Sequence, residues 1–350
     1  SPAVDVLSVP GEMVAEYVAV ATGPANKIHA VWTGQSVFYY SNASIWEADS
    51  AHAWLEPVVI ATNSARSRLE SSIVEDHLGN IHIIYATSST EPGIYYIRSQ
   101  DSGETWSPAA LLSEPFDALE HSYSTVRIIA DDEGILHAVW QTSQQEGFGQ
   151  AVYYSRSIDQ GQSWSSPTQL AYRDPGDMWI DWPYLVAEGD SRLHLIYVDG
   201  TNVGRAHRIS IDGGETWPPA DQILTTMEGI NGYIVPLVDD SGRMHLIVNM
   251  RTTDGQTVGI YYAQREGSSW SPVVPLDVSS PAAPSAHYAA AVMGLGKEIH
   301  VVYNQISNGE IWYLRGILPA VESRRTPEPF PTTLPTAPTA TSAAMAPTVQ

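Results

Sequence analysis

The 350-residue sequence has no cysteine and only two lysines, Lys27 and Lys297. Without cysteine there are no disulfides, no thiolate-ligated metal sites and no cysteine nucleophile. The formal net charge is −22, which opposes binding to nucleic acid or to an anionic membrane surface, because both require clustered positive charge. No apolar run is long enough to span a bilayer, so we expect no direct membrane insertion.

Hydrophobic residues make up 43% of the chain, which is ample for a packed core. Phenylalanine is scarce, with 4 residues, whereas the chain has 18 tyrosines and 11 tryptophans. Aromatic residues of these two types favour β-strands and are also common on surfaces that face sugars.

A motif of the form Ser-x-Asp-x-Gly-x-Thr/Ser-Trp occurs three times. The copies carry Asp101, Asp159 and Asp212 and end at Trp106, Trp164 and Trp217. A fourth copy ends at Trp270, but Ala263 and Arg265 replace its serine and aspartate. The motif is typical of a hairpin turn, in which the aspartate accepts backbone N–H groups, the glycine permits positive φ and the tryptophan packs back. We therefore interpret the three aspartates as structural and expect no metal site.

A strand of the form hydrophobic-His-hydrophobic occurs six times. Its histidines are His29, His82, His137, His194, His245 and His300. They are separated by 53, 55, 57, 51 and 55 residues, a period that fits one four-stranded blade of a β-propeller. The sequence thus predicts an all-β, six-bladed propeller of antiparallel blades, in which each histidine makes the same contact between blades.

The sixth repeat lacks a last strand after Tyr313. Because the segment 1–6 resembles 271–276, we expect the N-terminal strand to complete the last blade and close the ring. The propeller domain would span 1–320. Residues 321–350 are rich in Pro, Thr and Ala and predict a disordered stalk or linker. Such a stalk, together with a start at Ser1 instead of methionine, favours an exported or cell-surface protein.

Polar and aromatic residues precede the apolar inner strands. Twelve positions before the histidines stand Tyr17, Glu70, Thr125, Trp182, Tyr233 and Tyr288. Arg68, Tyr123, Asp181, Asn231 and His287 lie close to them in the chain. Ligands of propellers bind at one mouth of the central channel, so this ring predicts a ligand site; the alternative is a channel lining that contacts only water.

The Ser-x-Asp turns resemble the Asp-box, or BNR repeat, of the sialidase superfamily, and the resemblance covers residues 1 to about 317. It implies that these turns lie away from the active site. Arg68-Leu69-Glu70 resembles the family's Arg-Ile-Pro motif, and Asn249-Met250-Arg251 resembles its Asn-x-Arg motif. The resemblance therefore implies that Arg68 and Arg251 bind a substrate carboxylate. The third family arginine has no counterpart here.

The family uses a tyrosine nucleophile paired with a glutamate, and Tyr17 and Tyr288 are the candidates for it. Glu91 occupies the loop of the family's acid/base aspartate, and Glu70 and Asp181 are further candidates for a general acid or base. Substrate-binding candidates besides the two arginines are Tyr123, Trp182, Asn231, Tyr233 and His287.

The resemblance implies a sialidase-like exo-glycoside hydrolase that acts on acidic sugars. One alternative is a non-catalytic propeller that binds a glycan or a protein, and a third possibility is a polysaccharide lyase that uses tyrosine and histidine. We expect a glycan or glycoconjugate as the partner, no cofactor, no metal and a monomer.

Overall fold

The structure is a computed structural model that describes residues 9, 11–12, 15–35, 37–62, 70–87, 92–113, 121–144, 149–174, 179–189, 191–200, 204–239, 241–279, 286–294, 298–305 and 310–317. The predicted closing strand at the N-terminus and the predicted stalk at 321–350 lie outside these residues.

The first three sheets each have four strands that follow one another in sequence. Blade 1 contains β1 (Glu16–Thr22), β2 (Lys27–Thr33), β3 (Val37–Ser44) and β4 (Val58–Thr62). Blade 2 contains β5 (Ser71–Glu75), β6 (Ile81–Thr87), β7 (Gly93–Ser99) and β8 (Ala110–Leu111). Blade 3 contains β9 (His121–Ala130), β10 (Leu136–Gln144), β11 (Gly149–Ser157) and β12 (Thr168–Tyr172).

The other three sheets repeat this order with variations. Blade 4 contains β13 (Ile180–Ala187), β14 (Leu193–Asp199), β15 (Arg205–Ser210) and β16 (Asp221–Ile223). Blade 5 contains β17 (Met227–Val238), β18 (Met244–Thr252), β19 (Val258–Glu266), a short β20 (Ser269–Trp270) and β21 (Val274–Ser279), which pairs with β19. The described part of blade 6 contains β22 (Ala286–Gly294), β23 (Glu298–Gln305) and β24 (Glu310–Ile317).

These sheets form the predicted six-bladed propeller, and the first strand of each blade is the innermost one. Consecutive inner strands β1, β5, β9, β13, β17 and β22 contact one another in that order. The described residues contain no α-helix and one 3-10 turn, at Ala51–Ala53. The core lies between the blades, as β6 shows: all seven of its residues are buried, because its two faces pack against neighbouring blades.

Five of the six repeated histidines are buried links within a blade, and the sixth, His300, is half-buried. The Nδ1 atom of His82 lies 2.7 Å from the Tyr96 hydroxyl on the next strand, and its Nε2 atom lies 3.1 Å from Asp76 in the preceding turn. Blades 3 and 5 repeat this arrangement. The contact that we expected between blades is therefore made inside them. In blade 1 the carboxylate comes from the next blade, since Glu75 lies 3.3 Å from His29.

The tyrosine of this relay carries the contact to the following blade. The rings of Tyr96 and Trp164 meet edge to face at 5.0 Å. Gly161 has a φ of 79° and leaves no room for a side chain, because a Cβ atom there would lie 1.7 Å from the Tyr96 hydroxyl. Arg98, two residues after the tyrosine, donates a hydrogen bond of 2.6 Å to the carbonyl oxygen of Gln160.

We call this arrangement the seam lock: a tyrosine, the donor two residues later, and the Ser-x-Asp turn of the next blade. It occurs at the seams of blades 1–2 (Tyr40, Asn42, Ser102, Trp106), 2–3 (Tyr96, Arg98, Gln160, Trp164) and 3–4 (Tyr154, Arg156, Gly213, Trp217).

Within each turn the aspartate holds its own loop, as predicted. The carboxylate of Asp101 accepts the backbone N–H of Thr105 at 2.9 Å, the Thr105 hydroxyl at 2.5 Å and the Ser99 hydroxyl at 2.7 Å. Asp159 and Asp212 make the same three kinds of hydrogen bond. The side chains of these aspartates are therefore occupied by their turns.

Candidate functional site

Five of the six inner strands have an irregularity in their pairing near the start. In each, the residue twelve positions before the repeated histidine lies in the irregular stretch: Tyr17, Thr125, Trp182, Tyr233 and Tyr288. Bulges turn side chains away from the regular alternation and are frequent beside active sites. The polar and aromatic residues that the sequence analysis selected therefore lie at a bulge in five of the six inner strands.

Tyr17 and Trp182 have φ values of 52° and 58°, in the left-handed region that bulky residues rarely adopt. Such strain is found where the surrounding structure holds a functional segment in place. In an antiparallel blade the start of the inner strand and the turn after the third strand lie at opposite ends. The bulges are therefore at one end of the ring, which we call the bulge end, and the Asp turns are at the other.

Three consecutive blades contribute side chains to a charged group that we call the channel cluster, Glu70, Arg127 and Tyr184. The Arg127 guanidinium donates to Glu70 at 2.7 Å, to the Tyr184 hydroxyl at 3.2 Å and to the carbonyl oxygen of Val126 at 2.7 Å. It also lies 4.6 Å from the centre of the Tyr184 ring. The cluster thus joins the inner edges of blades 2, 3 and 4.

Arg127 keeps binding capacity beyond these contacts. A guanidinium has five N–H donors. Among the described residues, the three hydrogen bonds above use three of them, and 21% of the Arg127 side chain is exposed. Two donors therefore have no partner among these hydrogen bonds, and the side chain is partly accessible on an inner strand. Burial raises the pKa of Tyr184 above its ordinary value although Arg127 opposes the shift, so this hydroxyl stays protonated at neutral pH.

Asp181 lies in a tight contact between blades 3 and 4. The amide nitrogen of Gln141 donates to its carboxylate, and the amide oxygen of Gln141 accepts the backbone N–H of Trp182 at 2.9 Å. Gly149 also meets this carboxylate, since a Cβ atom there would lie 2.2 Å from Asp181 Oδ1. One glutamine side chain therefore holds both the carboxyl group and the left-handed backbone of the bulge.

Burial raises the pKa of the Asp181 carboxyl to about 6, although the hydrogen bonds from Gln141 and Gly149 and the charge of Arg173 act in the opposite direction. The side chain is only 7% exposed. A carboxyl group with a pKa near 6 is the kind that donates and takes up protons in catalysis near neutral pH.

Arg251, expected to bind a substrate carboxylate, pairs with Glu228, the residue opposite it on the neighbouring strand. Its Nε atom donates to the Glu228 carboxylate at 2.6 Å. Among the described residues, no hydrogen bond or ion pair joins Arg251 to the channel cluster or to Asp181.

The remaining candidates are described only in part. Arg68 and Glu91 lie outside the described residues. The backbone of five others is described: Tyr123 is in β9, Asn231 and Tyr233 are in β17, and His287 and Tyr288 are in β22. The structure thus brings Glu70 into a cluster and Asp181 and Trp182 into a clamp, and the functional roles of all the candidates stay predictions.

Sequence reasoning missed Arg127, Tyr184 and Gln141. Arg127 and Tyr184 each lie ten positions before a repeated histidine, whereas the ring predicted from the sequence lies twelve positions before it. An arginine inside the apolar segment Val126–Ala130 was a signal that could have found the first of them. Nothing in the sequence marks Gln141, because its role depends on the neighbouring blade.

The described residues contain no group of three or more His, Cys, Asp or Glu side chains placed to hold a metal ion. None of the helices described is long and apolar enough to cross a membrane.

No protein-family model matches the chain, and no curated protein matches it. Several solved structures are similar. The Hadza microbial sialidase Hz136 has a TM-score of 0.56 and 16% identity, over 87% of this chain and 66% of the sialidase, so the chain spans just under two thirds of that protein. The NanB sialidase of Streptococcus pneumoniae has a TM-score of 0.57 and 12% identity, over 91% of this chain and 71% of NanB.

An ulvan lyase of polysaccharide lyase family PL25, solved bound to -[GlcA(1-4)Rha3S]-, has a TM-score of 0.58 and 12% identity, over 85% of this chain and 79% of the lyase. At such identities the likeness concerns the fold. The chain shares the β-propeller fold of the sialidases, with six blades around a central channel.

Proposed function

We propose that this protein is a carbohydrate-active propeller that binds an acidic sugar at the bulge end of its channel and cleaves it as a sialidase-like exo-glycoside hydrolase. The observation that carries the proposal is the channel cluster, in which Arg127 lies beside Glu70 and Tyr184 on an inner strand and is 21% exposed. The sialidases and the polysaccharide lyase that share this fold support the substrate class.

An acidic sugar fits the cluster because a carboxylate accepts charge-assisted hydrogen bonds from a guanidinium. Arg127 already faces one carboxylate, that of Glu70. Folding has already removed Arg127 and Glu70 from much of their surrounding water. A substrate carboxylate would therefore bind Arg127 beside Glu70 or replace Glu70 as its partner. The net charge of −22 makes the protein as a whole repel acidic ligands, so the attraction must be local.

Asp181 is the group best suited to supply a proton to the leaving oxygen. Its pKa of about 6 leaves an appreciable protonated fraction at mildly acidic pH. The clamp from Gln141 holds it in one position. The nucleophile proposed is Tyr17 or Tyr288, as the family resemblance implies, and Glu91 stays a second candidate for the acid/base role.

A non-catalytic, glycan-binding propeller is the second candidate. It is favoured by Arg251, whose charge is already satisfied by Glu228. Under either function we propose an exported or cell-surface monomer whose Ser-x-Asp turns are Asp-boxes and whose partner is a glycan or glycoconjugate.

The test compares turnover with binding for the wild-type protein and two arginine variants. Fluorogenic α-sialosides and β-glucuronides measure hydrolysis, and a microarray of acidic and neutral glycans measures binding. We expect fluorophore release, with kcat/KM about 10- to 100-fold lower in Arg127→Ala, because a charge-assisted hydrogen bond contributes about 1.5–3 kcal/mol. Arg315→Ala is the matched control, since Arg315 forms an exposed ion pair with Glu298 in blade 6.

Binding of acidic glycans that depends on Arg127, without turnover of any substrate, would select the second candidate. Neither binding nor turnover of acidic glycans by the wild-type protein would overturn both.

A further inference from the structure

The seam between blades 4 and 5 keeps the tryptophan of the seam lock, Trp270, but departs from the lock at three other positions. His207 stands where the lock has tyrosine, and Ile209 stands where it has a donor, two residues later. Arg265 replaces the aspartate of the turn. The three changes occur together at one seam, whereas the three preceding seams keep the lock.

A different set of contacts holds this seam. His194 lies 2.9 Å from His207 and 2.8 Å from Glu188, and Arg265 reaches back from blade 5 to Glu188 at 3.2 Å. The ring of Trp270 meets that of His207 edge to face at 5.9 Å. The seam is thus closed on its inner side by an ion pair instead of by a tyrosine seated in a glycine turn.

The outer side of the same seam is open. At the seams of blades 2–3 and 3–4, an arginine extends across the gap to the carbonyl oxygen of the next turn. The shorter, apolar Ile209 makes no such bridge, and β19 and β20 form a plain hairpin in place of the Asp turn. A groove of about 430 Å³ results, and Ile209, His207, Arg265 and Trp270 all line it.

The lining of the groove suits a hydroxyl-rich ligand. Trp270 is half-buried, like Trp106, Trp164 and Trp217, and it borders the groove. Gln222, Thr225 and Ser269 add amide and hydroxyl groups to the walls. An aromatic face with a few convergent polar groups is typical of small-molecule sites.

The charge of the groove indicates which sugars would fit. Arg265, 13% exposed, is neutralised by Glu188, and Asp221 lies on the opposite wall. No uncompensated positive charge faces the groove among the residues that line it, so it offers an acidic sugar no counter-ion. A neutral sugar needs none.

We propose that the groove between blades 4 and 5 is a second carbohydrate-binding site, which takes a neutral sugar unit against Trp270. It lies along the outer strands of this seam, and its lining shares no residue with the channel cluster or with Asp181 and Gln141. The two sites can therefore be tested separately.

Saturation-transfer NMR with the methyl glycosides of glucose, galactose, mannose and N-acetylglucosamine tests this site in the full-length protein. We expect the wild-type protein to give signal with at least one of the four. Ile209→Arg introduces the side chain that spans the seams of blades 2–3 and 3–4, and it should reduce that signal at least fivefold. Trp270→Ala should do the same by removing the aromatic face.

Two controls separate this site from other effects. Ile211→Arg makes the same substitution two residues away, at a side chain that is 71% exposed and does not line the groove, and it should leave the signal unchanged. Arg127→Ala should also leave it unchanged. Thermal unfolding of each variant confirms that it is folded.

No signal with any of the four glycosides would overturn the proposal. So would loss of signal in Arg127→Ala, which would place the neutral sugar in the channel, or full signal in Ile209→Arg. None of these results bears on hydrolysis of acidic sugars, which is measured separately.

Discussion

Replacing Tyr154 by phenylalanine tests the relay that joins each blade to the next. The hydroxyl of Tyr154 lies 2.8 Å from Nδ1 of His137, and both residues are at most 2% exposed. The Nε2 atom of His137 faces the Asp131 carboxylate at 3.2 Å. Because a carboxylate only accepts, Nε2 carries the proton and Nδ1 is the acceptor for the tyrosine O–H.

The expected cost follows from the atoms that lose their partner. Loss of one hydrogen bond costs about 1 kcal/mol, and a buried acceptor left unsatisfied costs about 1–3 kcal/mol. The ring itself stays, so its contact with Trp217 at 5.1 Å is kept and no large cavity forms. We expect Tyr154→Phe to lower the free energy of unfolding by about 2 kcal/mol.

Tyr153→Phe on the same strand is the matched control. The hydroxyl of Tyr153 bonds the Gln169 side chain at 3.1 Å at an exposed position. Its loss should change the free energy of unfolding by about 0.5 kcal/mol or less. Urea unfolding followed by tryptophan fluorescence measures both variants. If the two substitutions have equal effects, the relay does not stabilise the blade as we describe.

Three further predictions concern the glycine turn at a seam, the Asp181 carboxyl group and the buried histidines. Gly161→Ala should destabilise the protein by about 2 kcal/mol or more, because φ is 79° and the added Cβ atom would collide with a tyrosine hydroxyl; an unchanged urea midpoint would contradict this. The pKa of Asp181, about 6 in the folded state against an ordinary 3.8, means that its contribution to stability falls as pH rises from about 4 to 6. The stability difference between Asp181→Asn and the wild type should therefore shift in favour of the variant across that window, and a difference independent of pH would refute the raised pKa. Burial lowers the pKa of His29 and His194 to about 4 and that of His207 to about 3, so the unfolded chain takes up their protons first. Their stabilising effect is complete above about pH 6.5 and is lost as pH falls toward 4, which thermal unfolding at pH 7 and pH 4.5 should show as a clear drop in Tm.

The sequence by itself determined the number of blades and the order of strands. The step of 51–57 residues between histidines is local information. In five of the six blades the histidine bonds a tyrosine that follows it by 11–17 residues. The Asp turns were equally readable, because Asp101, Asp159 and Asp212 bond only to their own loops. Hydrogen bonds between residues close in the chain produce a short sequence motif that can be recognised without the structure.

Only the tertiary structure decided which side chains meet across the seams. Arg127 joins Glu70 and Tyr184, each 57 residues away in sequence, and Gln141 clamps Asp181 from 40 residues away. Such contacts depend on the rotation between neighbouring blades, which no periodicity encodes. The groove at Ile209 arises in the same way: nothing in its strand distinguishes the isoleucine, and it matters because arginines span the equivalent gaps between blades 2 and 3 and between blades 3 and 4.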